Sequence, residues 1–304
     1  MNLVAKEFRR EPSPGLTSGS EPALPRDAGA APAFTLQVMT YNIHKGFSTG
    51  NARFVLHQMR DALERTDVDL IFLQEIQGAH AYRQWLIDGW PNAPQSDFLA
   101  DRRWPHRAYG KNAIYDSGHH GNAILSKYPI RFWENINVSG SPIASRSVLH
   151  AEIALPQVGQ PLHVICIHFG LGAAERRHQL SVLTRRIRSH VPRHAPLIIA
   201  GDFNDWARQA EYQMRTHFGL MDVFVTLNNR PAKTFPVWYP VLTVDRIFYR
   251  GATPITCRCL KDMPWRRLSD HAALYAAFSL ALKPTGMDRR IEQPLTPAGS
   301  RDVR

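Results

Sequence analysis

LIIAGDFND, residues 197–205, opens as an apolar run rich in isoleucine and closes on acids. The run reads as a strand buried on both faces. Gly201 breaks it, and Asp202, Asn204 and Asp205 follow. In sheet proteins, ligands collect at the carboxyl ends of such strands. Side chains alternate along an extended chain, so Asp202 and Asn204 are predicted to point the same way. A carboxylate only accepts hydrogen bonds, whereas a carboxamide donates and accepts. Together they can hold a water beside a phosphate.

The flanks bring further polar groups to strand ends. Upstream, residues 162–169 read as a strand ending in His168. Residues 173–190 read as a helix with Leu180, Leu183 and Ile187 on one face. Downstream, residues 209–218 read as a helix, and TFPVWYPVL (234–242) as a loop. Residues 243–249 read as a strand carrying Asp245, and 255–260 as another. Ser269, Asp270 and His271 lead into a last strand, 272–280. Toward the N-terminus, the strand beginning at Phe34 ends in Asn42, His44 and Lys45. Val55, Met59 and Leu63 mark a helix, and LIFLQE (70–75) is a buried strand finishing on Glu75. Residues 80–87 read as a short helix. Residues 91–116 read as a long loop whose aromatics, Phe98, Trp104, Tyr109 and Tyr115, pack on the rim of a site. HHGNAILSKYPI (119–130) reads as turn, strand and turn, and 147–155 as a further strand.

The 304 residues are 44% hydrophobic, enough for the core of one large or two small domains. A net charge of +11 favours polyanionic partners: nucleic acid, an anionic membrane surface or phosphorylated small molecules. Cys166, Cys257 and Cys259 form no CxxC pair, which argues against a structural zinc site and a disulfide framework. Cys257 and Cys259 fit one face of a strand as small hydrophobes. Residues 1–33 and 283–304, rich in Pro, Gly and charge, are expected to be a disordered leader and tail around a domain at 34–282. No apolar h-region follows MNLVAKEFRR and no run is long enough to span a bilayer. A cytoplasmic, non-transmembrane protein is expected, with peripheral membrane contact as the alternative. No stable protein partner is inferred.

Each polar strand end has a plain structural reading. Glu75 could cap a helix, His168 could be a hydrogen-bonded core histidine, and Asp245 could pair with Arg246. The plain readings weaken together, because burying so many carboxylates without a cation or histidine partner is very costly.

TYNIHKG, LQE, HHGNAILSKYPI, IHFG, GDFNDW, VDRIF and LSDHAAL, in this order, resemble the endonuclease/exonuclease/phosphatase superfamily over residues 34–282. GDFN followed by SDH is the specific part. The resemblance implies an α/β fold, a two-sheet β-sandwich flanked by helices (the DNase I-like four-layer fold), with the site at one edge. It implies a Mg²⁺-dependent phosphoesterase (Mn²⁺ being the other candidate) that hydrolyses a phosphodiester by attack of water. Metal would be held by Asn42, Glu75 and Asp270. Asp202 would orient or deprotonate the water, assisted by Asn204. His271 would face the phosphate with Asp245 fixing its tautomer, and His168 would lie near the leaving oxygen. Arg146 falls where several members place a phosphate-binding arginine. Asn122 and His44 are further substrate-binding candidates, with Lys45, His119 and His120 behind them.

Abasic-site endonucleases of the superfamily carry a tyrosine and an asparagine where this chain has IHFG. The His168 pattern therefore leans toward the DNase I and sphingomyelinase branches. A nuclease fits the basic charge. A phospholipid or small-molecule phosphodiesterase fits Trp104, Trp238 and Tyr239, read as exposed. A catalytically silent phosphate-binding protein on the same fold is the alternative of another class.

Overall fold

A computed structural model describes residues 33–115, 118–139 and 146–282. The expected tail, and the expected leader apart from Ala33, lie outside them. Among the described residues, twelve strands form two six-stranded sheets. In the first, β11 (Thr253–Leu260) lies beside β12 (Ala273–Ala281), then β1 (Ala33–Asn42), β2 (Leu70–His80), β4 (Gly118–Ser126) and β3 (His106–Tyr115). In the second the order is β5 (Ile130–Asn137), β6 (Ser147–Ile153), β7 (Leu162–His168), β8 (Leu197–Asp202), β10 (Asp245–Arg250) and β9 (Met221–Asp222). Only β1–β2 and β7–β8 pair in parallel, one central pair in each sheet.

Period-two alternation explains the layering. Leu36 and Val38 of β1, Leu70 and Phe72 of β2, Val164 and Cys166 of β7, and Ile198 and Ala200 of β8 share the core between the sheets. The intervening Met39, Tyr41, Ile71 and Leu73 face outward beneath α1 (Leu56–Glu64) and α3 (Gln95–Ala100), with the short α2 (Ala81–Leu86) between them in sequence. Ile165, Ile167 and Ile199 do the same beneath α4 (Ala173–His190) and α5 (Gln209–Phe218). Both faces of each central strand are covered, which is why their sequences run apolar without a break. The result is the four-layer α/β architecture that the resemblance implied.

The parallel β7–β8 pair depends on one glycine. Gly201 has φ +147°, and a Cβ there would meet Ile167 O at 2.0 Å. No other residue lets the two backbones close up at this point. The glycine stands just before Asp202, so close pairing persists to the end of β8.

Several expectations are corrected. Residues 91–116 are not a rim loop. They contain α3 and β3, and Trp104 is wholly buried, its indole N–H donating to Val68 O at 3.0 Å. Its ring belongs to the outer core of the first sheet, so it cannot serve as exposed surface. Phe98 and Tyr109 pack partly buried against the same core, while the side chain of Tyr115 is outside the described set. β2 does not stop at Glu75 but runs on to His80 through a bulge between Leu73 and Ile76. Gly118–Asn122 is already strand rather than turn.

β5 and α6 (Val223–Asn228) were not foreseen. β5 is an edge strand with Phe132 and Trp133 half-exposed, so it lacks clean alternation. α6 did carry a local signal. Asp222 caps it, accepting from the N–H groups of Phe224 at 2.8 Å and Val225 at 3.2 Å.

Candidate active site

Strand register brings the site together. In the second sheet His168 pairs with Asp202 across β7–β8, and Asp245 pairs with Asp202 across β8–β10. Three residues distant in sequence therefore stand in one row. In the first sheet Asn42 pairs with Gln74, which sets it beside Glu75. Ser269 ties the approach to β12 onto β1: its hydroxyl donates to Asn42 O at 2.7 Å and accepts from His271 N–H at 3.2 Å. That clamp swings Asp270 and His271 toward the row.

The common point is Asp202 Oδ2. Asn42 Nδ2 donates to it at 3.3 Å, His168 Nε2 lies at 3.6 Å and His271 Nε2 at 3.9 Å. His271 Nδ1 is hydrogen-bonded to Asp245 Oδ2 at 2.9 Å, and the Phe235 ring lies against the imidazole with centroids 4.9 Å apart. Glu75, Arg146, His168, Asp202, Asn204, Asp270 and His271 line one hollow of about 240 Å³. Leu171, Trp206, Phe235 and Leu242 form its apolar wall. Larger hollows exist elsewhere, of about 490, 530 and 790 Å³, but none of them is lined by these groups.

Asn204 is positioned differently from the alternating arrangement read from sequence. β8 ends at Asp202, and Asn204 adopts φ +47° with its N–H donating to Asp202 Oδ1 at 2.9 Å. This is the local side chain-to-backbone turn that Asp forms readily, and asparagine tolerates the left-handed region. Asn204 Nδ2 then donates to Phe169 O at 2.9 Å. The amide locks the loop and leaves its oxygen for the hollow.

Glu75 also has a positive φ, +56°, at the β2 bulge. Glutamate does not favour that conformation, and a non-glycine residue held there costs about 1–2 kcal/mol. Such strain persists only where the surroundings over-determine it, and it clusters at functional sites. Lys45 Nζ approaches Glu75 Oε2 at 3.5 Å.

The remaining candidates divide. Arg146 lines the hollow rather than an outer surface. Asn42 is buried behind it, its Oδ1 accepting from His44 N–H at 3.1 Å, which leaves one lone pair for another partner. His44 also stands behind, its Nδ1 3.5 Å from Asp270 Oδ1. Asn122 is fully buried and donates to Ser147 O at 3.2 Å. It ties β4 to the start of β6, where Arg146 emerges, and does not line the hollow. Ser269 and Phe235 went unremarked as site residues. Ser269 lay in the SDH motif, and nothing in the sequence around Phe235 pointed to the histidine it covers.

Charge in the hollow is tightly balanced. Burial raises the Asp202 carboxyl, and the neighbouring Asp245 carboxylate raises it further, against His271, the Asn204 N–H and the Asn42 amide. Burial works against the His271 imidazolium, but Asp245, hydrogen-bonded to it, outweighs burial and holds it well above the ordinary histidine range, helped by Asp202 and Asp270. His168 goes the other way. Burial and the Arg146 guanidinium push it down to about 3, so it is neutral at pH 7. Burial also penalises the Glu75 carboxylate, but nearby His168, Lys45, His44 and His271 prevail and bring it down to about 2.

Asp202, Asp245 and His271 offer ligand atoms all within 4.8 Å of one another. Glu75 Oε2 and Asp245 Oδ1 are buried without a hydrogen-bond partner. Buried carboxylate oxygens without a hydrogen bond, Glu75 Oε2 having only Lys45 Nζ at 3.5 Å, fit a hard divalent cation, which takes oxygen ligands. The site is therefore a candidate metal centre consistent with divalent-cation dependence. No helix of the described residues is long and apolar enough to cross a membrane.

The chain is similar to known proteins along most of its length. The family profile "Endonuclease/Exonuclease/phosphatase family" matches residues 39–271. The uncharacterized protein YbhP of Escherichia coli K12 is 42% identical over 247 residues, 81% of this chain and 97% of that one. A UPF0294 protein of Vibrio campbellii is 29% identical over 81% of this chain and 78% of its own length. Among solved structures, an endonuclease/exonuclease/phosphatase from Beutenbergia cavernae superposes with a TM-score of 0.67 at 17% identity, covering 81% of this chain and 72% of that one. D. rerio TDP2 complexed with single strand DNA product superposes with a TM-score of 0.59 at 22% identity, covering 80% and 98%. The matched profile runs from Met39 in β1 to His271 at the hollow, and so covers the second sheet, all of the first but β12 and the start of β1, and the whole row around Asp202; this chain belongs to the endonuclease/exonuclease/phosphatase family.

Proposed function

We propose that residues 34–282 form a Mg²⁺-dependent phosphodiesterase, with Mn²⁺ as the substitute ion, acting by direct attack of water on phosphorus. The observation that supports this most is the meeting of Asn42, His168 and His271 on one oxygen of Asp202, in a hollow that also holds Glu75 and Arg146. A volume of about 240 Å³ suits a phosphate group and its immediate substituents.

Glu75, Asn42 and Asp270 would hold the cation through hard oxygens. Bound there, it supplies Lewis-acid polarisation of a phosphoryl oxygen. The raised Asp202 carboxyl is matched to a general base working near neutrality, and takes the proton as water's oxygen bonds to phosphorus. Asn204 orients that water. The ester P–O bond breaks as the new bond forms, and the leaving oxygen, hydrogen-bonded by His168, takes its proton from solvent to depart as the alcohol. His271, held as imidazolium by Asp245, stabilises the developing negative charge, and Arg146 binds a non-bridging oxygen. His168 is neutral and contributes a hydrogen bond rather than charge.

Two substrate classes remain. A basic chain and the fold shared with a single-strand DNA complex support a nuclease. The half-exposed Trp206 and exposed Leu171 at the mouth support a phospholipid or small phosphodiester. The test is hydrolysis of bis(p-nitrophenyl) phosphate, DNA, RNA and phospholipid with Mg²⁺ or Mn²⁺. Glu75→Ala and Asp202→Asn should each lose at least 100-fold of turnover while keeping the circular dichroism of the parent. Turnover unchanged in both variants overturns the assignment. A folded protein that binds Mg²⁺ by calorimetry and cleaves nothing is instead the silent binding protein.

A further inference from the structure

A hollow of about 790 Å³, distinct from the catalytic one, has a lining that carries three cations, Arg230, Lys233 and Lys261, and no carboxylate. Among the described residues none of the three makes an ion pair. Single unpaired surface lysines are ordinary. Here three exposed cations border one concave volume; Asp245 and Asp262 are felt at Cys259, but neither lines the hollow, so its own lining is net positive and favours an anion. Two thiols line the same hollow, Cys257 and Cys259. Burial pushes Cys259 up to about 11 and raises Cys257 as well, so neither adds negative charge near neutrality. The Thr243 hydroxyl accepts from Arg246 Nη2 at 3.3 Å, which leaves its proton for an anion in the hollow.

The position matters as much as the charge. Thr243 lines the cationic hollow and Val244, the next residue, lines the catalytic one. Lys233 and Phe235 divide in the same way, two residues apart. Segments 233–235 and 243–244 therefore border both hollows. The first is pinned on both sides: Thr234 N–H donates to Leu242 O at 2.8 Å, and Ala272 N–H donates to Thr234 O at 2.9 Å.

We infer that this hollow binds a second phosphate group of the substrate, beyond the one that is cleaved. As a statement about substrate it rests on the phosphodiesterase reading above; as a statement about an anion site it does not. The terminal phosphate of a 5′-phosphorylated nucleotide and a phosphorylated lipid headgroup offer the same chemistry, a phosphomonoester of nearly two negative charges for which ammonium and guanidinium are natural partners.

The test has two arms. In EDTA, inorganic pyrophosphate is titrated calorimetrically into the full chain, into His271→Asn and into the double variant Lys233→Gln/Lys261→Gln. Binding retained in His271→Asn and weakened at least tenfold in the double variant supports the site. Binding that is absent, or that is lost in His271→Asn and kept in the double variant, overturns it. In the second arm, a 5′-phosphorylated dinucleotide and a lipid with a phosphorylated headgroup are compared with a diester bearing a single phosphate. The double variant should raise KM about tenfold for whichever two-phosphate substrate is used, with kcat unchanged, and leave the simple diester unaffected. An equal effect on all substrates, or none on either two-phosphate substrate, overturns the substrate assignment. If no ester is hydrolysed at all, the phosphodiesterase reading falls and the pyrophosphate arm still decides the hollow.

Discussion

At the residue scale, the Asp245–His271 pair carries the sharpest expectation. Asp245 accepts from His271 Nδ1 at 2.9 Å and is buried with it, so it fixes both the tautomer and the charge that the imidazole presents at Nε2. Asp245→Asn keeps the shape and removes the charge. The imidazolium then loses the carboxylate that holds it against burial, and the histidine falls back toward neutrality. Turnover should drop about 10²–10⁴-fold, with KM little changed. The alkaline limb of the rate profile should move to lower pH, because the group needed in its charged form now loses its proton earlier. A variant with the parent's profile would show that Asp245 acts only as packing. His271, Asp245 and Asp202 were all legible as strand-end residues. The turn that gives Asn204 its own orientation was not, because alternation applies only while the chain stays extended, and the Asp202 side chain ends that extension by accepting from Asn204 N–H.

At the scale of elements, pairing between strands does the positioning. His168, Asp202 and Asp245 stand in one row because β7, β8 and β10 are neighbours in register. Gly201→Ala tests that dependence. The new methyl group meets Ile167 O at 2.0 Å, on backbone that L side chains rarely adopt. Overpacking together with backbone strain should cost about 2–4 kcal/mol, measured as a lower denaturant midpoint with an unchanged slope. Activity in whatever fraction remains folded should fall as well, since relief of the clash moves Asp202 away from His168. Unaltered stability would mean that the β7–β8 spacing is not set by this residue. The bounds of α4 and α5 matched their sequence reading because apolar periodicity and flanking prolines or glycines mark helices locally. β3 was missed because its Tyr109 serves a core formed by α1, α3 and four other strands, and no local pattern names those partners.

At the scale of the whole molecule, a second buried polar cluster makes stability depend on pH. His150 and His163 lie fully or nearly fully buried, with His150 Nε2 and His163 Nδ1 3.1 Å apart. Arg186 Nε donates to His150 Nδ1 at 3.0 Å, and Arg186 itself pairs with Glu134 at 2.6 Å. A guanidinium can only donate, so His150 Nδ1 must accept and the ring must be neutral. Burial and the Arg186 charge hold His150 down at about 3, and burial lowers His163 as well. The unfolded chain binds these protons near pH 6.5. The stabilisation is therefore fully present above that pH. It is lost progressively as pH falls from about 6.5 toward 3, where the unfolded state takes up more protons than the folded one. His150→Asn should flatten the acid side of a plot of melting temperature against pH while lowering its plateau. An acid slope as steep as the parent's would assign the sensitivity to the carboxylates instead.

The sequence by itself determined that polar groups end a set of strands buried on both faces, a local feature that follows from alternation, apolar runs and residue chemistry; the phosphoesterase reading of GDFN and SDH came from their resemblance to the family's motifs. Only the tertiary structure decided which of those groups meet. Register between strands distant in sequence set Asp202 as the common point, placed Asn122 and His44 behind the hollow, buried Trp104, and put a cationic hollow beside segments that also border the catalytic one. The physical reason is that hydrogen-bond ladders and packed faces join residues hundreds of positions apart, and no window along the chain contains both members of such a pair.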